Sequence, residues 1–280
     1  MNCDILCGKT VAISGGTGGI GQALCRELAA RGAQILLLDR NPAKAQQWMH
    51  TLQAEFPQLV ITHRAMDLTD MTSVKAAAEA LCTDPPFALI LNAGAYAVPR
   101  FRCDTGWDNV FQINCVAPYF LARMVKSHGV RVVAVGSIAH NYSKTDAADI
   151  DFSRRTAASR VYGNAKRRLM FSLFALYAGE AGLAVTHPGI TLTGITAHYP
   201  KWIYWLIKPC MKVLFPSPRK ACLSILQGLY EDCGQNEWIG PCIFDIWGKP
   251  KKRTLRTCSP AEAADIAQAA ESMFEQEKWL

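Results

Sequence analysis

Residues 9–31 read KTVAISGGTGGIGQALCRELAAR, and the turn Ser14-Gly15-Gly16-Thr17-Gly18-Gly19-Ile20-Gly21 at their centre decides the fold. A short apolar run at 10–14 precedes it. After it, 18–31 carries Ile20, Leu24 and Leu28 on one helical face. Such a junction needs glycine because a pyrophosphate lying against the backbone leaves no room for a Cβ. The free N–H groups and positive end of the helix then face the phosphate charge. A glycine-rich stretch alone is a weak sign; one that joins the first strand to the first helix of an alternating chain is strong. Gly15, Thr17, Gly18, Gly19 and Ile20 are therefore expected to hold a dinucleotide.

Outward from this turn, short apolar runs at 34–39, 60–64, 87–92, 130–137, 184–187 and 242–247 read as further strands. Most lack strict alternation, as expected of parallel strands buried on both faces. Helical patterns occupy 42–56, 70–81, 104–126 and 157–181, and Asn41-Pro42 is an N-cap followed by proline at the first helical position. The expected fold class is α/β. One Rossmann domain spans 1–280, with seven parallel strands in the order 3-2-1-4-5-6-7 and helices on both faces. The segment 191–218 is too long for a connector and reads as a helical substrate lid, and a helix at about 260–278 closes the chain.

Composition narrows the functional classes. Of 280 residues, 50% are hydrophobic, enough for a large core, and the net charge of +7 is a mild basic bias. No Lys/Arg-rich run carries interleaved aromatics, so nucleic acid is not an expected partner. The eleven cysteines are scattered, odd in number and form no CxxC pair. That excludes a disulfide framework and a zinc site, and fits a reducing, cytoplasmic compartment. The opening MNCDILCGKT has no apolar h-region and no run of about 18 apolar residues occurs, so neither signal peptide nor transmembrane helix is expected. No His/Asp/Glu cluster has ligand spacing, and no metal is expected.

The second strand ends in Asp39, about 20 residues beyond the glycines, where a carboxylate takes the ribose hydroxyls and repels a 2′-phosphate. That favours NAD. Arg40 follows directly, and a guanidinium there pairs with a 2′-phosphate, which leaves NADP open.

These motifs resemble the short-chain dehydrogenases/reductases over about 9–193. The family's T-G-x-x-x-G-x-G corresponds to Ser14-Gly15 through Gly19-Ile20-Gly21, with Ser in place of Thr. Its adenine-side Asp corresponds to Asp67-Leu68, its N-A-G to Asn92-Ala93-Gly94, and its helix Asn to Asn114. Its Ser corresponds to Ser137, and its Y-x-x-x-K to Tyr162-Gly163-Asn164-Ala165-Lys166. Pro188-Gly189, with Thr191 and Thr193, matches the segment that holds the nicotinamide carboxamide. The Ser137-to-Tyr162 gap of 25 residues exceeds the commonest spacing and is similar to that of retinol-dehydrogenase-like members. Those members also carry Ser-x-Ala-His, as in Ser137-Ile138-Ala139-His140, and an Arg after the second strand. They prefer NADP and act on lipophilic alcohols, aldehydes or steroids.

The resemblance implies that Ser137 bonds the substrate oxygen and that Asn114 positions a water beside Lys166. The Tyr–Lys pair stands on its own physics. A tyrosine of ordinary pKa, near 10, stays protonated at neutral pH and so is a poor base there, a neighbouring ammonium favours its phenolate, and residues four apart share a helical face. Tyr162 is thus the expected proton donor and acceptor, with Lys166 as its tuner. Tyr96, His140, Tyr142, Ile195, Tyr199 and Trp202 lie on segments above the carboxyl ends of the strands and are expected to line an apolar pocket. His140 is a candidate second acid/base group but reads more readily as a loop histidine, and His187 as structural rather than a metal ligand. The expected substrate is a bulky hydrophobic alcohol or ketone, such as a steroid or terpenoid. Reduction of an enone double bond, and dinucleotide binding without turnover, remain as alternatives. The Trp/Tyr/Lys mixture of 201–215 fits a peripheral membrane contact, a lid or a subunit contact. The resemblance implies a homodimer paired through 157–181.

Overall fold

The structure, a computed structural model, describes residues 4–189 and 216–279. Strands β1 (Thr10–Ser14), β2 (Gln34–Asp39), β3 (Ile61–Ala65), β4 (Ala88–Leu91), β5 (Arg131–Val135) and β6 (Leu183–Thr186) are joined by helical crossovers. They are followed by β7 (Glu237–Ile243) and β8 (Trp247–Thr254). Among the described residues the sheet has eight strands, in the order β3-β2-β1-β4-β5-β6-β7-β8. The first seven are parallel, as expected. The eighth is antiparallel to β7 and was not foreseen. The run at 242–247, read as one strand, is instead the end of β7, a turn and the start of β8.

Burial on both faces explains the continuous apolar strands. In β2, Ile35 and Leu37 enter one core and Leu38 the other. One core packs the sheet against α1 (Gly19–Ala29), α2 (Pro42–Glu55) and α7 (Pro218–Gln227), through Leu24, Leu28, Leu52 and Ile225. The other packs it against α3 (Met71–Thr83), α5 (Ala117–Lys126), α6 (Ala158–Leu176) and α8 (Pro260–Trp279), through Val74, Leu121, Leu169 and Phe274.

The helix expected over 104–126 starts later, because Gly106 sits at φ +85° and Asp108 caps the N–H groups of Val110 and Phe111. It then runs as α4 (Asn109–Phe111), a π-helical turn (Gln112–Val116) and α5. The helix expected over 157–181 stops at Leu176, ahead of Gly179 at φ +77°. From Val161 to Phe174 nearly every residue of α6 is buried, with α8 packed along it. The helix expected to pair two copies is therefore covered within its own chain. The lid assigned to 191–218, with Thr191, Thr193, Ile195, Tyr199 and Trp202, lies outside the described residues except for 216–218.

Candidate active site

β1 lies between β2 and β4, so the chain leaves it in opposite directions and a cleft opens beyond the carboxyl ends. A cavity of about 700 Å³ fills that cleft. Its lining includes Gly15, Thr17, Gly18, Gly19, Ile20, Asp39, Arg40, Asp67, Leu68, Asn92, Ala93, Gly94 and Tyr96, all expected from sequence. It also includes Lys44, Thr69 and Asn109, which sequence reading missed. Lys44 carried a signal: it lies in the first turn of the helix that starts beside Arg40.

The glycine turn is fastened to β4 by reciprocal bonds. Ser14 Oγ accepts from the backbone N–H groups of Asn92 and Ala93, both at 3.1 Å. Asn92 Nδ2 donates to the carbonyls of Ser14 and Gly15 at 3.1 and 3.0 Å. Gly15 holds φ +69°, and a Cβ there would stand 2.9 Å from Ala93 Cα. A Cβ on Gly21 would stand 2.1 Å from the Gly15 carbonyl oxygen. The turn is a cradle that any side chain would fill, which fits a phosphate lying on the backbone.

At the adenosine end Asp39 is buried. Thr17 Oγ1 donates to its Oδ1 at 2.9 Å, and its Oδ2 is buried without a partner. Burial pushes this carboxyl above its ordinary value, and the Thr17 bond opposes the shift. Arg40 and Lys44 are exposed at the cavity edge. Asp67 closes its own turn, accepting from the N–H and hydroxyl of Thr69.

At the far end α6 brings Tyr162 and Lys166 to β5. Lys166 is buried; its Nζ donates to the Val135 carbonyl at 2.9 Å and lies 5.8 Å from the centre of the Tyr162 ring. Burial pulls its pKa down to about 8. Burial likewise pushes Tyr162 up to about 12, with the Ser137 hydroxyl opposing. The expected lowering of Tyr162 by its lysine is thus absent from this geometry, in which the ammonium faces a carbonyl. The Tyr96 ring meets Tyr162 edge-on, with centroids 5.4 Å apart. Ser137 Oγ caps the following 3₁₀ turn (Ile138–Tyr142) through the Ala139 N–H. Asn114 sits in the π-helical turn, a form that recurs at functional sites. Its Nδ2 donates to the carbonyls of Ala95 and Val110, both at 2.8 Å. A Cβ on Gly94 would meet Asn114 Oδ1 at 2.8 Å and Lys166 Nζ at 3.7 Å, so this glycine opens the space between them.

One assigned substrate residue stands elsewhere. His140 is fully buried rather than facing the cleft. Its Nδ1 bonds the Ser137 carbonyl at 2.7 Å and its Nε2 bonds Thr257 Oγ1 at 3.0 Å. The 3₁₀ turn rotates it inward, towards Trp238 and Phe171. Tyr142 is 58% exposed. His187 stacks on Trp238, with centroids 4.9 Å apart, and burial pulls it down to about 4. Pro188 and Gly189 are buried, and Gly189 takes φ +82°. Among the described residues no group of His, Cys, Asp or Glu is placed to hold a metal.

The family described as short chain dehydrogenase matches residues 9–165. Mouse retinol dehydrogenase 12 is 30% identical over 218 residues, covering 73% of this chain and 69% of its own. The Arabidopsis thaliana dehydrogenase/reductase SDR family member FEY is 29% identical and covers 95% of this chain and 77% of its own. A solved structure of a Mycobacterium paratuberculosis protein superposes with a TM-score of 0.76 at 24% identity, covering 98% of this chain and 96% of that one. L-Sorbose reductase from Gluconobacter frateurii, complexed with NADPH and L-sorbose, superposes with a TM-score of 0.60 at 19% identity, covering 84% and 98%. The chain belongs to the short-chain dehydrogenase family, with relatives of the retinol dehydrogenase kind.

Proposed function

We propose that this protein transfers a hydride between a nicotinamide dinucleotide and a lipophilic alcohol or ketone, with Tyr162 as the proton-transferring group. The observation that carries the reading is the grouping of Ser137, Tyr162 and Lys166 beside Asn114, directly behind Gly94 and Tyr96, which line the same cleft as the glycine cradle. The bound dinucleotide supplies or accepts the hydride. In reduction, the Tyr162 hydroxyl gives its proton to the substrate oxygen while the Ser137 hydroxyl donates a hydrogen bond to that oxygen. Lys166 holds positive charge beside the phenolate that forms, and Asn114 fixes the backbone around it. Oxidation runs the same transfers backwards.

For the cofactor, we infer NADP(H) rather than the NAD that Asp39 alone favours. Asp39 lines the cavity, but one of its oxygens is already engaged by Thr17 and the other is buried. Arg40 and Lys44 stand exposed at the same edge, a matched pair of cations for a 2′-phosphate. The names of two relatives, retinol dehydrogenase 12 and human polyprenol dehydrogenase, support a long apolar alcohol or its carbonyl partner. We infer a reducing, cytoplasmic compartment, which the odd number and scattered spacing of the eleven cysteines support.

The test is a fluorescence titration with NADPH and NADH, followed by turnover assays with lipophilic ketones and alcohols. NADPH should bind more tightly, and Arg40→Ala with Lys44→Ala should erase that preference. Tyr162→Phe should keep dinucleotide binding and lose turnover by about 10²-fold or more. Tighter NADH binding overturns the cofactor inference, and turnover that survives Tyr162→Phe overturns the mechanism.

A further inference from the structure

We propose that the β7–β8 hairpin is a membrane-surface contact that seats its tip among the headgroups of an anionic phospholipid bilayer. The tip is Phe244-Asp245-Ile246. Phe244 lies at φ +50° and Asp245 at φ +56°, in the left-handed region where turns favour glycine or asparagine. A bulky aromatic there is strained. Phe244 is also 80% exposed, so its ring gains almost nothing from the fold in return. An aromatic held at a cost and pointed at solvent indicates a role outside the chain.

Its neighbours extend the surface. Ile243 and Trp247, exposed by 49% and 38%, stand opposite one another in the β7–β8 register and so share a face. Beyond a bulge at Gly248, which shifts the register between Pro241 and Ile243, Lys249 and Lys251 project from the opposite face of β8, so that cations back the apolar tip. From Trp247 to Cys258 there are five cations and no acid. Lys252 is held by Glu231 and Glu237, and Arg253 by Asp245. Lys249, Lys251 and Arg256 are exposed and have no acidic partner among the described residues. Lysines and Pro250 on an edge strand also deter strand-to-strand aggregation. That role does not account for Phe244 or Ile243, which work against it. Apolar and aromatic side chains bordered by unpaired cations match an anionic bilayer surface in both charge and polarity.

The hairpin is fixed in place. Arg253 donates to the Pro241 carbonyl at 3.0 Å and to Asp245, and the Ile246 N–H closes the turn on the Ile243 carbonyl. His187 Nε2 donates to the Asp245 carbonyl at 3.1 Å, which ties the tip to the end of β6. The tip therefore projects from the carboxyl end of the sheet, the end at which the cleft opens. Under the function proposed above, a lipid-seated tip lets an apolar substrate pass from bilayer to cleft without crossing water. The membrane contact itself does not depend on that function.

The experiment is flotation of the full-length protein with phosphatidylcholine vesicles, with and without roughly one-third phosphatidylserine. The wild type should float with the phosphatidylserine vesicles, less with phosphatidylcholine alone, and less at high salt. Lys249→Glu with Lys251→Glu should lower the bound fraction by at least about 10-fold, at roughly 5-fold per cation lost. Phe244→Ser should lower it while leaving thermal stability unchanged or raised, because serine tolerates the turn better. Wild type that stays with the pellet overturns the proposal. So does flotation that neither variant changes. So does a dimer, seen by sedimentation, that Phe244→Ser dissolves without altering flotation, since the tip then meets a second copy. None of these readouts requires turnover.

Discussion

Lys166 Nζ donates to the carbonyl oxygen of Val135 at 2.9 Å, across the junction of α6 with the end of β5. The carbonyl partially compensates a buried ammonium whose pKa falls to about 8 from its ordinary 10.5. The unfolded chain therefore holds more protons than the folded one between these values, and stability from this group rises with pH through that window. Tyr162 acts in the opposite sense between 10 and about 12. In the dinucleotide-free protein, the difference in unfolding free energy between wild type and Lys166→Met should shift in favour of wild type by on the order of 1–2 kcal/mol from about pH 7.5 to 9.5. Urea denaturation at the two pH values measures it. A pH-independent difference would mean that the lysine is not desolvated.

Ser14 stands where the family has threonine, and only its hydroxyl is used. Ser14→Ala leaves the N–H groups of Asn92 and Ala93 without their acceptor, which should cost about 1–3 kcal/mol and weaken dinucleotide binding. Ser14→Thr should bind normally. Chemical denaturation and dinucleotide titration of the two variants separate loss of the hydroxyl from mere disturbance of the turn.

His140 is a positioning residue: it holds the Ser137 backbone and touches nothing in the cleft. His140→Leu should lower kcat by about 10-fold through a displaced Ser137 hydroxyl, with dinucleotide affinity unchanged. His140→Asn, which keeps a donor near the Ser137 carbonyl, should recover much of the rate. Equal loss in both variants, or a fall in dinucleotide affinity, would count against this role.

Arg167 follows Lys166 and is buried; it grips both Glu262 oxygens and also donates to the carbonyl of Thr257. Its hydrogen bonds hold the Glu262 carboxyl down to about 2, below its ordinary 4.5. Because the folded value is the lower one, this pair stabilises fully above about 4.5, and its contribution is lost as the pH falls towards 2. Thermal melting of Glu262→Gln should show a shallower acid limb than wild type. Glu262→Ala, which strands the buried guanidinium, should cost about 3 kcal/mol.

Much of the fold was legible because its signals are local. Glycines 15–21 need their place between strand and helix, and the apolar strands need two-sided burial. The β7–β8 hairpin was missed because Phe244-Asp245-Ile246 holds none of the Gly, Asn or Pro that mark a tight turn. His140 was drawn towards the cleft by its neighbour Ser137. Its second partner, Thr257, lies 117 residues away and leaves no trace in local pattern. Lys166 was rightly placed beside Tyr162, yet its hydrogen-bond partner is a backbone carbonyl, which has no sequence signature. The π-helical turn at Asn114 is equally silent, since the composition of Gln112–Val116 fits an ordinary helix.

The covering of α6 by α8 has a consequence for how the protein behaves on dilution. A helix face shielded by a second molecule is shielded only while the two meet, so its integrity follows the law of mass action. Here the shield is tethered to the same chain, and its local concentration is set by the length of polypeptide between them. Tyr162 and Lys166 thus keep their support in a solution so thin that the molecules never encounter one another, and specific activity should be the same for a handful of copies as for many.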